Sequence, residues 1–77
     1  GARRAVISCA PLVNPLTEQL LVVDIGGGST ELVWVDLSGV APERRGRAIR
    51  GLHRGFGAQG DGGSASGCSA VEYRLLL

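Results

Sequence analysis

The residues best suited to chemistry lie in one short stretch, residues 24–31, which reads DIGGGSTE. Glycine lets the backbone approach a ligand closely and adopt a positive φ angle. Successive backbone N–H groups in such a turn form an anion-binding concavity, and the two hydroxyl residues add further donors. The stretch therefore predicts a phosphate-binding loop made of Gly26, Gly27, Gly28, Ser29 and Thr30.

An acid stands on each side of this loop, Asp24 before it and Glu31 after it. A carboxylate that follows two valines in a buried strand costs free energy unless something compensates it. Hard divalent cations prefer carboxylate oxygen, so Asp24 is predicted to bind a metal ion. Glu31 is predicted to be catalytic, because a glutamate there can orient the metal through water or act as a base on an attacking water.

Glycine-rich turns also occur outside phosphate-binding loops of this kind. A hairpin turn without any ligand remains open, since many glycine turns are only turns. The GxxxxGK[ST] phosphate loop is excluded because the chain contains no lysine. The GxGxxG dinucleotide loop is excluded as well, because Glu31 stands where its third glycine belongs and the following residues favour a strand rather than a helix.

Two apolar runs must position this stretch. Residues 20–23 and 32–35 are predicted strands, joined by a glycine-rich hairpin connection at residues 26–30. The first run is continuous rather than alternating, which is typical of a strand covered on both faces. Trp34 favours a strand and is expected to pack in the core on the sheet.

A helix is predicted after the second strand. Pro42 suits its first turn, and Ile49, Leu52 and Phe56 recur near helical spacing. Glycines at 46 and 51 weaken this helix by roughly 1 kcal/mol each relative to alanine. Its arginines favour a solvated face over an anion-binding patch; they are Arg44, Arg45, Arg47, Arg50 and Arg54.

Composition sets the outer limits. The 77 residues allow one small domain with a marginal core. A net charge of +1 gives no electrostatic reason to expect nucleic acid or a membrane as partner. Cys9 and Cys68 lack metal-ligand spacing, so a reducing, cytoplasmic location is expected. The chain begins with glycine and contains no methionine, which predicts a piece of a longer protein.

The end of the chain differs in composition. It is rich in glycine, serine and alanine and has little apolar material to pack. We therefore divide the chain into a partial domain at residues 1–56 and a low-complexity tail at residues 57–77. The tail is expected to be disordered or aberrant.

The stretch at residues 24–32, DIGGGSTEL, with LLVV before it, resembles the second phosphate-binding motif of the Ppx/GppA phosphatases. These are exopolyphosphatases and guanosine pentaphosphate phosphohydrolases of the actin-like ATPase superfamily. The resemblance implies an α/β fold, here a fragment of a ribonuclease-H-like domain with a strand–glycine turn–strand hairpin and a following Arg-rich helix. It covers residues 2–40 and extends toward Phe56.

The resemblance also implies a function. The activity would be hydrolysis of a phosphoanhydride bond in polyphosphate or guanosine pentaphosphate with Mg²⁺, by an enzyme whose full-length form can be a homodimer. Asp24 would bind the metal, residues 26–30 would bind phosphate, and Glu31 would be the second acid near the nucleophilic water. Nucleic acid and membrane are not expected partners.

The chain departs from the family in three places. The family's other phosphate loop, of DxGSN type, is absent, and Gly1 falls where the general-base glutamate belongs. Residues 67–75, GCSAVEYRL, are a faint echo of the family's next strand. We therefore expect no activity from the 77 residues alone. Two alternatives remain: an ATP-phosphate loop of an actin-like or sugar-kinase-type ATPase, and a non-enzymatic anion-binding module.

Overall fold

Helices and an antiparallel sheet make up the part of the chain that the computed structural model describes, residues 2–55, 62–65 and 67–76. The elements are α1 (Ala2–Ser8), β1 (Gln19–Gly26), β2 (Ser29–Asp36), α2 (Arg45–Gly55), β3 (Gly62–Ala65) and β4 (Cys68–Leu76). The strand order is β1-β2-β4-β3, and each neighbouring pair is antiparallel. The predicted α/β class, a combination of helices with a β-sheet, is therefore confirmed.

Both helices pack on the same face of the sheet. Val6 of α1 and Ile49 and Leu52 of α2 are fully buried there, in one core cluster that also contains Val33 and Val35 of β2. Helix α2 begins at Arg45, after a 3₁₀ turn at Pro42–Arg44, so the predicted helix is confirmed with a slightly later start. Phe56 lies outside the described residues. Within the described ranges, no helix is both long and apolar enough to cross a membrane.

The other face of the sheet is open. Leu21 and Val23 of β1 alternate with buried Val22 and are each about half exposed, and Trp34 of β2 is 42% exposed. The prediction that β1 is covered on both faces is therefore wrong, and so is the prediction that Trp34 packs in the core. The reason is that both helices cover one side, so that each apolar strand has only one face in the core.

The predicted disordered tail needs correction where the structure describes it. Residues 68–76 form β4, which pairs along the whole length of β2, from Asp36↔Ser69 to Ser29↔Leu76. Cys68 and Ala70 lie in the core. The composition led to the wrong prediction because β4 alternates apolar with polar residues, which gives only a weak strand signal in the sequence. Residues 57–61 lie outside the described residues.

Gly39 and Gly67 allow the turn after β2 and the turn before β4 to approach each other closely. A Cβ atom on Gly67 would lie 2.8 Å from the carbonyl oxygen of Gly39, and a Cβ on Gly39 would lie 2.9 Å from that of Gly67. Gly67 also has a φ angle of +89°, which residues with a side chain rarely adopt. A side chain at either position would therefore force the two turns, before β4 and after β2, to move apart.

Arg45 joins the loops to the helix. It is only 6% exposed, although the sequence had placed it on a solvated face. Its Nε donates a hydrogen bond to the carbonyl oxygen of Val40 (3.1 Å), and its Nη1 donates to that of Pro15 (2.7 Å). Buried arginines are rare unless their donors are satisfied. Arg45 therefore connects the segment before β1 to the start of α2.

Replacing Arg45 with methionine should lower the free energy of unfolding by about 2–3 kcal/mol, because two charge-assisted hydrogen bonds are lost and two carbonyl groups lose a donor. Urea unfolding followed by circular dichroism measures this change. Arg47→Met is the matched control, since Arg47 is exposed on the same helix. Equal losses of stability in the two variants would contradict the structural role that we assign to Arg45.

Candidate functional site

The glycine turn is tighter than predicted. The β1–β2 register ends with the pair Gly26↔Ser29, which leaves only Gly27 and Gly28 as the connection. Their φ angles are +59° and +84°, as a two-residue turn of type I′ requires. Ser29 belongs to β2 and is not part of a loop. The hairpin is thus confirmed, while the predicted five-residue connection is replaced by a two-residue turn.

Asp24 and Glu31 are direct cross-strand partners, two pairs before the turn. Each acid lies two residues along its strand from a member of the buried pair Val22↔Val33. Side chains two residues apart in a strand point to the same face, so both acids lie on the face that the helices cover. Directly opposed residues have Cβ atoms about 4.5–5.5 Å apart. The structure therefore brings the two predicted acids together at the end of the core, where each is partly buried.

Glu31 is held by two neighbours. The Ser29 hydroxyl donates a hydrogen bond to its Oε1 (3.1 Å), and Arg74 Nε lies 3.4 Å from the same oxygen. The Glu31 side chain is 13% exposed and that of Arg74 is 63% exposed. Exposed pairs of this kind contribute about 0–1 kcal/mol. The two contacts matter mainly for geometry, because both hold Oε1 of Glu31 in one position beside the glycine turn.

Arg74 is the residue near this site that the sequence did not single out. It lies on β4 directly opposite Glu31. The signal was present as an alternation in residues 71–75, where apolar side chains are separated by Glu72 and Arg74. This period of two indicates a strand with a polar row, but it does not identify the partner strand.

Two of the predicted phosphate-binding residues, Thr30 and Gly26, need separate comment. Thr30 pairs with Ile25 and Leu75 on the open face, so alternation points it away from Asp24 and Glu31. Gly26 has an ordinary φ angle and open space around a Cβ position. The backbone therefore requires glycine at positions 27 and 28 but not at 26.

The two acids can provide a limited metal site. In the described part of the chain, no three His, Cys, Asp or Glu residues lie close enough together to hold an ion. Mg²⁺ is typically held by one or two carboxylates and keeps several waters or phosphate oxygens. The donor set of Asp24 and Glu31 fits such an ion, with Arg74 reducing the negative charge on one side.

A groove lies at the opposite end of β2. It has a volume of about 440 Å³ and is lined by Gly39, Val40, Ala41, Arg44, Arg47, Ala48 and Gly51. Small residues form much of its lining, and Arg44 and Arg47 are exposed. No acid contributes to the described lining. Guanidinium groups match phosphate and carboxylate oxygens in pairs, so this groove is a second place where an anion can bind.

The cysteines do not add a nucleophile. Cys68 is buried in the core, and the lost solvation raises the pKa of its thiol to about 11, with a smaller contribution from the charge of Asp36. A thiol with a raised pKa carries little thiolate at neutral pH. Cys9 is partly buried and packs against the core.

Comparison with known proteins gives no family model, no curated protein and no solved structure that matches the chain significantly. The family resemblance therefore depends on the DIGGGSTEL stretch and its flanks. Function has to be argued from the hairpin, the two acids and the surfaces around them.

Proposed function

We propose that this chain provides the phosphate-binding hairpin and the acids of a phosphatase that hydrolyses phosphoanhydride bonds in polyphosphate or guanosine pentaphosphate. One observation carries the proposal: Asp24 and Glu31 are cross-strand partners on the same face, two pairs from a glycine turn. The resemblance of DIGGGSTEL to the Ppx/GppA motif and the ribonuclease-H-like fold belong to the same proposal.

Gly26 gives independent support. The turn explains Gly27 and Gly28, which have positive φ angles, but neither backbone geometry nor crowding explains glycine at position 26. A missing side chain at the end of a strand permits the close approach of a ligand. A phosphate group that contacts the turn would lie over Gly26 and the free amides of residues 27 and 28.

The chain's own residues would divide the work as follows. The amides of Gly27 and Gly28 lie outside the strand ladder and can donate to phosphate oxygens. Ser29 donates to Glu31 and thereby orients its carboxylate. Glu31 would hold a water by its remaining oxygen and accept a proton from it as the water attacks the terminal phosphorus. The phosphoanhydride bond to that phosphorus then breaks, and the shortened polyphosphate or nucleotide leaves. Arg74, whose Nε lies 3.4 Å from Oε1 of Glu31, would contact a phosphate oxygen in this proposal.

Asp24 and Glu31 are the residues that would hold Mg²⁺ in this proposal. When bound, the ion neutralises charge on the phosphate oxygens and polarises the attacking water. Asp24 is the better ligand of the two, because the contacts described above already engage one oxygen of Glu31.

Titration of the 77-residue chain with tripolyphosphate in the presence of Mg²⁺ tests the proposal. We expect chemical-shift changes at the amides of residues 24–31 in two-dimensional NMR spectra. Asp24→Asn should weaken binding roughly tenfold, in the range of a lost metal-supporting group. Gly26→Val should block it, because the added side chain occupies the approach to the turn.

Asp36→Asn is the matched control for Asp24→Asn, since Asp36 is also an aspartate of the hairpin but lies at the end of β2 far from the turn. Its carboxylate accepts hydrogen bonds from the backbone N–H and hydroxyl of Ser38, which lower its pKa. It should leave binding unchanged. If tripolyphosphate at millimolar concentration causes no shifts at residues 24–31, or if both Asn variants weaken binding equally, the proposal fails.

A second candidate is a non-enzymatic anion-binding module. The observation that favours it is the groove with Arg44 and Arg47 at its edge. The same titration distinguishes the two candidates, because binding there would shift the amides of residues 39–51 and would not require Mg²⁺. Arg47→Gln would then weaken binding, while Asp24→Asn would have no effect.

A further inference from the structure

The outer edge of β1 has no neighbouring strand in the described part of the chain. The strand order β1-β2-β4-β3 places β1 and β3 at the two ends of the sheet. The β3 strand is four residues long and reads GGSA, whereas β1 runs over eight residues, QLLVVDIG. Of these two edges, the edge of β1 is therefore the one that can align a further strand over a useful length.

The hydrogen-bonding pattern shows which backbone groups of β1 face this edge. The amide of Leu37 donates to the carbonyl oxygen of Glu18 (2.6 Å), which extends the β1–β2 ladder by one pair. In an antiparallel ladder, the direction of the backbone groups alternates along each strand. Every second residue from Glu18 therefore faces β2, and the amides and carbonyl groups of Leu21, Val23 and Ile25 point to the outer edge.

The β1 strand lacks the features that protect exposed strand edges. Natural edge strands are blunted by lysine, proline, a bulge or a very short length. The β1 strand contains no lysine or proline, and its register with β2 runs over all eight residues without a bulge. The outward-facing residues are apolar as well: Leu21, Val23 and Ile25 are 52%, 50% and 77% exposed. The edge is therefore suited to accept a strand.

The sheet defines the apolar positions of such a strand. All strand pairs of the sheet are antiparallel, so we take the added strand to be antiparallel to β1. Directly opposed residues have their side chains on the same face, with Cβ atoms about 4.5–5.5 Å apart. The first, third and fifth residues of the segment would then lie beside Ile25, Val23 and Leu21, on the face that the helices leave open. Apolar side chains at these three positions would cover the exposed ones.

Charge restricts the second residue of the segment. It would lie beside Asp24 on the helix-covered face, in the row that continues through Glu31 to Arg74. Like charges directly opposite each other destabilise a sheet, so an acid is excluded here and a neutral or basic residue fits. On the open face, Asp36 is opposite Gln19 and so lies beyond the three apolar positions.

We infer that the outer edge of β1 binds an extended segment of another polypeptide as an additional antiparallel strand. The segment has apolar residues at its first, third and fifth positions and a neutral or basic residue at its second. Main-chain hydrogen bonds supply affinity in this mode of recognition, and alternate side chains supply selectivity. The inference goes beyond the proposed phosphatase function and does not rest on it, because Asp24 contributes only by excluding an acid.

Hydrogen exchange of the 77-residue chain, followed by NMR with the capped peptide Val-Lys-Val-Thr-Val, tests the inference. In the free chain, the amides of Leu21, Val23 and Ile25 should exchange faster than the amide of Val22, which is bonded to β2. At about 1 mM peptide, exchange at the three amides should slow roughly tenfold. Unchanged exchange overturns the inference, and so does protection that rises with the concentration of the chain alone, because a second copy would then occupy the edge.

N-methylated peptides are the matched controls. Methyl groups on the amides of the three valines remove the donors that face β1, so this peptide should not protect the chain. Methyl groups on the lysine and threonine amides point away from β1 and should leave binding unchanged. Glutamate in place of lysine should weaken binding roughly two- to fivefold. Equal binding of the two methylated peptides contradicts strand addition, and unweakened binding of the glutamate peptide contradicts the register.

Val23→Pro is the variant of the chain that should lose binding. It removes an amide that faces the outer edge without removing a hydrogen bond to β2. Val71→Ser is its control, because Val71 is 41% exposed on the open face but belongs to β4, two strands from this edge. If both variants weaken binding equally, the peptide covers the face of the sheet and the inference is wrong. If Val23→Pro does not fold, the methylated peptides decide.

Discussion

Gly67→Ala should lower the free energy of unfolding by about 3–5 kcal/mol, since it adds a positive-φ penalty to a backbone clash. A chain of this size has about 4–12 kcal/mol in total, so this single substitution should remove a large fraction of the stability. The cause is the crossing of the two turns, where the new Cβ would lie 2.8 Å from the Gly39 carbonyl oxygen. Urea unfolding and circular dichroism measure the loss.

Two further variants separate the effect of the positive φ angle from the effect of the backbone clash. Gly39→Ala has the clash without a positive φ angle and should lose less, about 1–3 kcal/mol. Gly26→Ala has neither and should stay within about 1 kcal/mol of the original chain. If Gly67→Ala is as stable as Gly26→Ala, the two turns do not make the described contact.

Leu52→Ala should cost about 3 kcal/mol, within the range of about 2–5 for a buried leucine. Leu52 is fully buried where α2 packs on the sheet. Gly46 and Gly51 in the interior of α2 make the helix intrinsically weak, so its stability has to come from this packing. Loss of Leu52 should therefore reduce the helical circular dichroism signal along with the unfolding midpoint.

Leu16→Ala is the comparison for this prediction, because Leu16 is 81% exposed. It removes the same atoms from a surface position and should change stability by less than about 0.5 kcal/mol. Equal losses from the two alanine variants would mean that α2 is not docked as described.

Local signals allowed much of this fold to be predicted. The hairpin follows from two apolar runs separated by glycines, and all its contacts lie within 18 residues (19–36). Helix α2 follows from Pro42 and the spacing of Ile49 and Leu52. The β4 strand was missed because its partner is more than 30 residues away, and a pattern of alternation does not identify a partner strand.

The same limit applies to single residues. Arg45 looked solvated because its acceptors are backbone carbonyl groups, which have no signature in the sequence. Trp34 looked buried because its apolar character does not reveal on which face of a strand it lies. At the candidate site, the pairing of Asp24 with Glu31 follows from the hairpin, whereas Arg74 enters only through β4.

The position of β2 between β1 and β4 has a consequence during translation. The hairpin can form within about 1–10 µs once both strands have been synthesised. The nearest paired residues of β2 and β4 are more than 30 positions apart, and ribosomes add about 5–20 residues per second. For a few seconds, the nascent chain therefore carries β2 with one edge unpaired. During that interval, neighbouring nascent chains on a polysome compete with β4 for the same backbone hydrogen bonds.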